Sequence, residues 1–188
     1  MALHRPVRRF GAVQASVDKI PLRLFGTVSE SIVDGPGIRF VVFVQGCPHH
    51  CPGCHNPQSH DPAGGTLTDT AALWDTIQKY PHIDGITFSG GEPFTHAAAL
   101  AELGRAAREK GLNVMTYSGY TYEKLLAMAE TDPDVKALLT VTNYLVDGPF
   151  ILAERDLTLR YRGSRNQRIL DVTCYPNSTD AGIWENAE

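Results

Sequence analysis

The stretch "IRFVVFVQGCPHHCPGCHN" (38–56) changes character halfway, and the change frames the rest of the chain. Residues 38–46 are apolar nearly throughout, the pattern of a strand in a parallel sheet covered on both faces. Residues 47–56 have no period and place Cys47, Cys51 and Cys54 within a few residues of one another. Upstream, "LRLFGTV" (22–28) reads as a short strand, joined to the first by the turn-forming "SIVDGPGIR". Downstream, strands at 83–88, 113–119 and 140–148 alternate with amphipathic helices at 68–80, 95–111 and 121–130, the first capped by Thr68 or Asp69. "DPDVKALL" reads as a helical turn, and 157–164 and 167–172 as two β-rich pieces. This order implies an α/β fold of right-handed βαβ units around about five to six parallel strands. The repeat is shorter than the roughly 250 residues of a closed eightfold barrel, which leaves an open partial (β/α) barrel or a doubly wound sheet. In both, ligands belong at the C-terminal strand ends, where the cysteine loop and "SGGEP" (89–93) fall.

With 43% apolar and 20% charged residues, the composition is that of a globular domain able to fold without disulfides. A net charge of −4 argues against a nucleic-acid or anionic-membrane partner. The longest strongly apolar run, "FVVFV" (40–44), is too short to span a bilayer. A cytoplasmic protein is expected. Its organisation is expected to be a mobile N-terminal arm (1–20), a single domain (21–172) and a C-terminal tail (173–188). In a reducing compartment the three clustered thiols point to metal or redox chemistry.

The spacing C-x3-C-x2-C lacks the second knuckle of a structural zinc site, although His49, His50, His55 or His60 could complete one. Three thiolates suit a four-iron cluster with one iron left open. Glycines and prolines around the cysteines let an irregular loop wrap such a body. Cys174, far along the chain, reads as a bystander.

The cysteine loop after the first strand of a βα repeat resembles the radical S-adenosylmethionine (SAM) enzymes. The resemblance implies a partial barrel of the radical SAM type. It also implies a [4Fe-4S] cluster on Cys47, Cys51 and Cys54, whose open iron takes the amino and carboxylate groups of SAM. Gly53 stands where many members carry an aromatic residue, leaving His55 as a neighbour for the adenine. Gly90, Gly91 and Glu92, flanked by Ser89, match the family's SAM-binding Gly-Gly-Glu. "SIVDGPGIRF" (31–40) is similar to the signature of the glycyl-radical-enzyme activases. "GCPHHCPGCHNPQSHD" (46–61), "YSGYTYE" (117–123), "LVDGPF" (145–150) and "RDLTLRYRGSRNQRILDV" (155–172) are most similar to the activating proteins of anaerobic ribonucleoside-triphosphate reductase. Residues 22–172 carry the resemblance. It implies a glycyl radical generated on that reductase, with electrons from a flavodoxin or ferredoxin. Asp147 is a further candidate for SAM, and Asp34, Arg162, Asn166 and Arg168 for the partner's glycine loop; Gln167 could also line the cleft. Asn143 departs from the reductase-activating proteins, standing where they imply an acidic residue, and Thr116 occupies a strand end that is acidic in pyruvate formate-lyase activases, where the acidic residue helps bind a monovalent cation. Activases of other glycyl radical enzymes, such as the pyruvate formate-lyase type, and a non-catalytic zinc module are the competing readings.

Overall fold

In the computed structural model, which describes residues 16–184, the strands are β1 (Pro21–Ser31), β2 (Arg39–Val44), β3 (Thr66–Asp69), β4 (Gly85–Gly90), β5 (Asn113–Tyr117), β6 (Tyr144–Asp147), β7 (Arg168–Asp171) and β8 (Gly182–Ile183). The helices are α1 (Thr70–Ile77), α2 (Ala97–Glu109), α3 (Tyr122–Ala129) and α4 (Pro133–Val141). All the strands join one mixed sheet in the order β3-β1-β2-β4-β5-β6-β7-β8. Only β2, β4, β5 and β6 run parallel. The expected five to six parallel strands are therefore corrected to four, with antiparallel strands on both flanks.

The physical reason lies in the connections. A parallel neighbour needs a crossover of a dozen or more residues, usually a helix. Between β1 and β2 there is only the 32–38 turn, so β1 must return antiparallel. Between β6 and β7 the chain forms a 3-10 turn at Leu152–Glu154 and irregular backbone but no α-helix. The strand expected at 157–164 does not form there; a single bridge between Arg155 and Ser164 is all the β pairing it makes.

Helix starts follow side-chain chemistry. Asp69 caps α1 by accepting from the Ala72 amide (2.9 Å), and Thr121 caps α3 by accepting from that of Lys124. The sequence expectation of a helical turn at 132–139 becomes the full helix α4. Asp132 accepts from the amides of Asp134 and Val135, and Pro133 occupies the first turn, where its missing N–H costs nothing.

The parallel strands succeed one another in chain order without reversal, so right-handed crossovers place their helices on one face. There Phe40, Val42, Ile86, Phe88, Val114 and Leu145 pack with Trp74, Leu100, Leu103, Leu125 and Leu138 in the main core. Alternate residues face the other way, where Met115, Val146 and Ile169 pack with Tyr117, Tyr144, Tyr161 and Trp184. Trp184 belongs to the segment expected as a tail, as does β8, which pairs with β7. The described end of the expected N-terminal arm is tied to the helices. Asp18 N donates to Glu102 Oε1 (2.9 Å), and Ser16 O accepts from Arg105 (2.7 Å). The rest of that arm, residues 1–15, and residues 185–188 lie outside the described residues. Among the described residues, no helix is long and apolar enough to cross a membrane.

Candidate active site

The cysteine loop leaves β2 and is closed at its base by hydrogen bonds. Gly46 N donates to Ser59 O (2.7 Å) and Cys47 N to His60 O (3.1 Å). The buried Gln45 side chain donates to the carbonyls of Gln58 and Asp61. Inside the loop, Cys54 N donates to Cys51 O (3.1 Å) and Asn56 N to Cys54 Sγ (3.4 Å). The three thiols are free and half-buried. Burial pushes the Cys47 thiol up, and the nearby Glu92 carboxylate adds to this, while the amides of His49 and His50 oppose it. A bare thiolate is thus disfavoured at Cys47, and a bound cation would reverse that balance.

Cys47, Cys51 and Cys54 line one cavity of about 130 Å³ together with Ser89, Gly90 and Gly91. The two motifs that lie far apart in the chain thus face each other across a single space. Gly90 has φ +94°, and a Cβ there would come within 2.7 Å of Phe43 Cα. At Gly91 a Cβ would collide with the Gly46 carbonyl oxygen. The close approach is secured by backbone pairing: Gly91 N donates to Val44 O and Glu92 N to Gly46 O, both at 2.8 Å. Among the described residues, no three His, Cys, Asp or Glu side chains converge as they would on a single metal ion. The thiols instead surround a volume, with soft ligands of the kind that select iron–sulfur clusters or zinc.

A second cavity of about 460 Å³ shares Cys54, Ser89, Tyr117, Phe150 and Gln167 with the first. It carries Asp34, His55 and Arg162 on its walls. Val33 and Leu157, both largely exposed, also belong to it. His55 packs against Phe150 with ring centroids 5.2 Å apart. Gly53 has φ +73°, a backbone conformation that side chains rarely adopt, and a Cβ there would meet the Leu152 side chain at 2.8 Å, so an aromatic residue before the third cysteine would strain the backbone and displace Leu152.

The remaining expected residues, and several of those on the cavity walls, are engaged with partners within the protein. Glu92 is fully buried and lines neither cavity. Its Oε1 accepts from Phe94 N and Ser118 Oγ (3.0 Å each), and its Oε2 contacts His49 Nε2 (2.7 Å) and accepts from Gly119 N (2.8 Å). It braces the cysteine loop against the β5 end. Asp147, also buried, accepts from Tyr122 N (2.8 Å) and from Arg168, which is bound in turn to Glu123 at 3.0 Å through two nitrogens. Asp147 and Arg168, expected in two different roles, are therefore partners of each other. Asn166 donates to Pro149 O (2.8 Å) and Gln167 Nε2 to Gly148 O (3.1 Å), tying down the 151–167 segment. Asp34 accepts from Ser31 Oγ, and Arg162 donates to Gln167 O (3.0 Å).

The two departures from the family have structural uses. Asn143 Oδ1 accepts from Val114 N (2.9 Å), and Thr116 shares a hydrogen bond with Thr142 (2.9 Å) in the core. His60, weighed from the sequence as a possible zinc ligand, is half-buried on the thiol cavity. Tyr117 and Phe150 line both cavities. They were not singled out from the sequence, where an aromatic at a strand end reads as ordinary packing.

Residues 33–170 match the family described as "4Fe-4S single cluster domain". The anaerobic ribonucleoside-triphosphate reductase-activating protein of Vibrio cholerae is 36% identical over 149 residues, covering 73% of this chain and 90% of the relative. The chain belongs to the radical SAM activating-enzyme family. A second relative, from Haemophilus influenzae and of the same description, is 32% identical with the same coverage. A pyruvate formate-lyase-activating enzyme of Clostridium pasteurianum is 39% identical over 106 residues, which span 53% of this chain and 44% of that relative. Members of this family use a [4Fe-4S] cluster and SAM. The donor set fits that group: three thiols on one wall and a glycine turn on the other.

Proposed function

We propose that the chain activates an anaerobic ribonucleoside-triphosphate reductase by generating a glycyl radical on it, with a cluster held by Cys47, Cys51 and Cys54. The observation that carries this reading is the single cavity shared by the three thiols and the Ser89–Gly91 turn. When bound, the cluster and SAM supply reductive cleavage of the sulfonium and abstraction of a hydrogen atom from the partner's glycine.

The chain's own residues bind and position. The Ser89–Gly91 backbone offers polar groups to SAM at close range because no side chain intervenes. Glu92 holds that turn and the cysteine loop in register through His49 and Gly119. Gly53 leaves Leu152 and Phe150 as apolar cover, with His55 beside them. Asp34 and Arg162 present opposite charges in the wider cavity, through which a glycine loop can approach. Asp147 and Arg168 fix the β6–β7 end from behind, and Asn166 and Gln167 hold the segment that forms the outer wall. We read the singly wound sheet as an open partial barrel whose helix-free face admits the partner. The electron donor in this reading is a flavodoxin or ferredoxin, and the setting is cytoplasmic. The reductase is favoured over pyruvate formate-lyase as target because the reductase activases match over nearly their whole length.

The test is anaerobic reconstitution with iron and sulfide, reduction, addition of SAM and quantification of 5′-deoxyadenosine, with Cys51→Ala as control. Product in the wild type and none in the variant is expected, followed by a glycyl-radical EPR signal on the reductase. A chain that takes up one zinc and no iron, or equal product from both proteins, would overturn the reading.

A further inference from the structure

His60 has a nitrogen without a partner. The ring lines the thiol cavity, yet its Nε2 is buried and makes no hydrogen bond among the described residues. Buried polar atoms are nearly always paired, and an exception next to a cofactor site points to a partner that belongs to the cofactor. The loop backbone that carries the ring is fixed, and one neighbouring ring packs on it. His60 O accepts from Cys47 N (3.1 Å), so the residue is stitched to the first cysteine. The flanking carbonyls of Gln58 and Asp61 are fixed by Gln45 Nε2. His50 meets the ring edge-on, with centroids 5.0 Å apart. The loop's other histidines are differently engaged: His49 contacts Glu92, and His55 is exposed against Phe150.

We propose that His60 donates a hydrogen bond from Nε2 to a sulfur of the cluster and thereby sets its reduction potential. The inference rests on the proposed cluster site at Cys47, Cys51 and Cys54. Sulfide and thiolate sulfurs accept but cannot donate, so such a partner fixes the ring proton on Nε2. Reduction adds negative charge to those sulfurs and strengthens the bond, so the donor stabilises the reduced state and raises the potential. His60 is a positioning and tuning residue; it takes no part in hydrogen abstraction.

The test is an EPR-monitored redox titration of the reconstituted full chain without SAM, comparing wild type, His60→Phe and His60→Gln. Iron content of the wild type against Cys51→Ala comes first; a wild type without a cluster would sink the site reading itself, before His60 is questioned. With clusters present, His60→Phe is expected to be harder to reduce. At the wild-type midpoint its reduced-to-oxidised ratio should fall by about tenfold, equivalent to about 59 mV for one electron. His60→Gln, which keeps an N–H, should recover part of the shift. Equal midpoints at equal iron content would overturn the proposal. If the Phe variant holds no iron, ENDOR of the reduced wild type after exchange into D₂O decides. A coupled exchangeable deuteron that changes in His60→Gln is expected; an unchanged signal, or the strong nitrogen coupling of an iron-bound imidazole, would overturn it.

Discussion

On the helix-covered face of the sheet, Phe40, Val42, Ile86, Phe88 and Val114 meet a core made mostly of leucines and alanines. On the opposite face the same strands present Arg39, Thr87, Ser89, Asn113 and Tyr117, and polar contacts take over. Arg39 is fully buried there, donating to Thr87 Oγ1 (3.0 Å), Ile86 O (2.5 Å) and Asn113 Oδ1. Burial lowers its guanidinium to about 10. One face is held by area and the other by specific partners. Stability should therefore be set mainly by the first, and the shape of the site by the second.

Leu100→Ala tests the first half of that division. Leu100 is fully buried under the sheet, and its truncation is expected to cost about 2–5 kcal/mol in urea unfolding. Iron bound per folded chain should not change; a proportional loss of iron would break the separation of the faces. Glu92→Ala probes the second half. It strips the partners from Gly119 N, Phe94 N and Ser118 Oγ at once, and about 1–3 kcal/mol is expected. Here retention of iron on gel filtration should fall more than stability does, and unchanged retention would show that the carboxylate does not shape the site.

The smallest effect belongs to Glu123, which is mostly exposed and lies outside both cavities. The side-chain hydrogen bonds from Arg168 hold its carboxyl down at about 2, against an ordinary 4.5. A depressed acid contributes stability above its unfolded value and loses it as pH falls through the folded one. Solvent screening limits the pair to about 1 kcal/mol or less. Glu123→Gln should be less stable by that amount at neutral pH, and the gap should close between pH 4.5 and about 2. Unfolding curves at pH 7 and pH 3 measure it, and a gap that stays constant would contradict the Arg168 assignment.

Much of this was legible in the residues. The apolar run at 38–46, the alternation after it and the glycine pair at the end of β4 led to the βα units and to both walls of the cavity. What was not legible turned on connection length and on side-chain direction. The return of β1 and β7 as antiparallel strands follows from links without helices, yet 157–164 has the composition of a strand. Glu92 follows β4 and Asp147 ends β6, both on the functional side, and sequence alone does not say that each is turned toward protein donors. His60 looked like one more polar loop residue, because the loop around it is shaped by hydrogen bonds from Gln45 to the carbonyls of Gln58 and Asp61, thirteen and sixteen residues along the chain from Gln45.

The pairing of Gly91 with Val44 and of Glu92 with Gly46 continues the β2–β4 ladder past the last strand residues, using backbone alone. None of the three thiols takes part in this joint. If it persists without a cluster, both walls of the mould outlast a cluster destroyed by oxygen, and iron and sulfide could be restored on the same polypeptide without a new round of synthesis. Slow amide exchange at Gly91 and Glu92 in the metal-free chain would mark it as repairable, and fast exchange there would mean that each oxidation event retires the molecule.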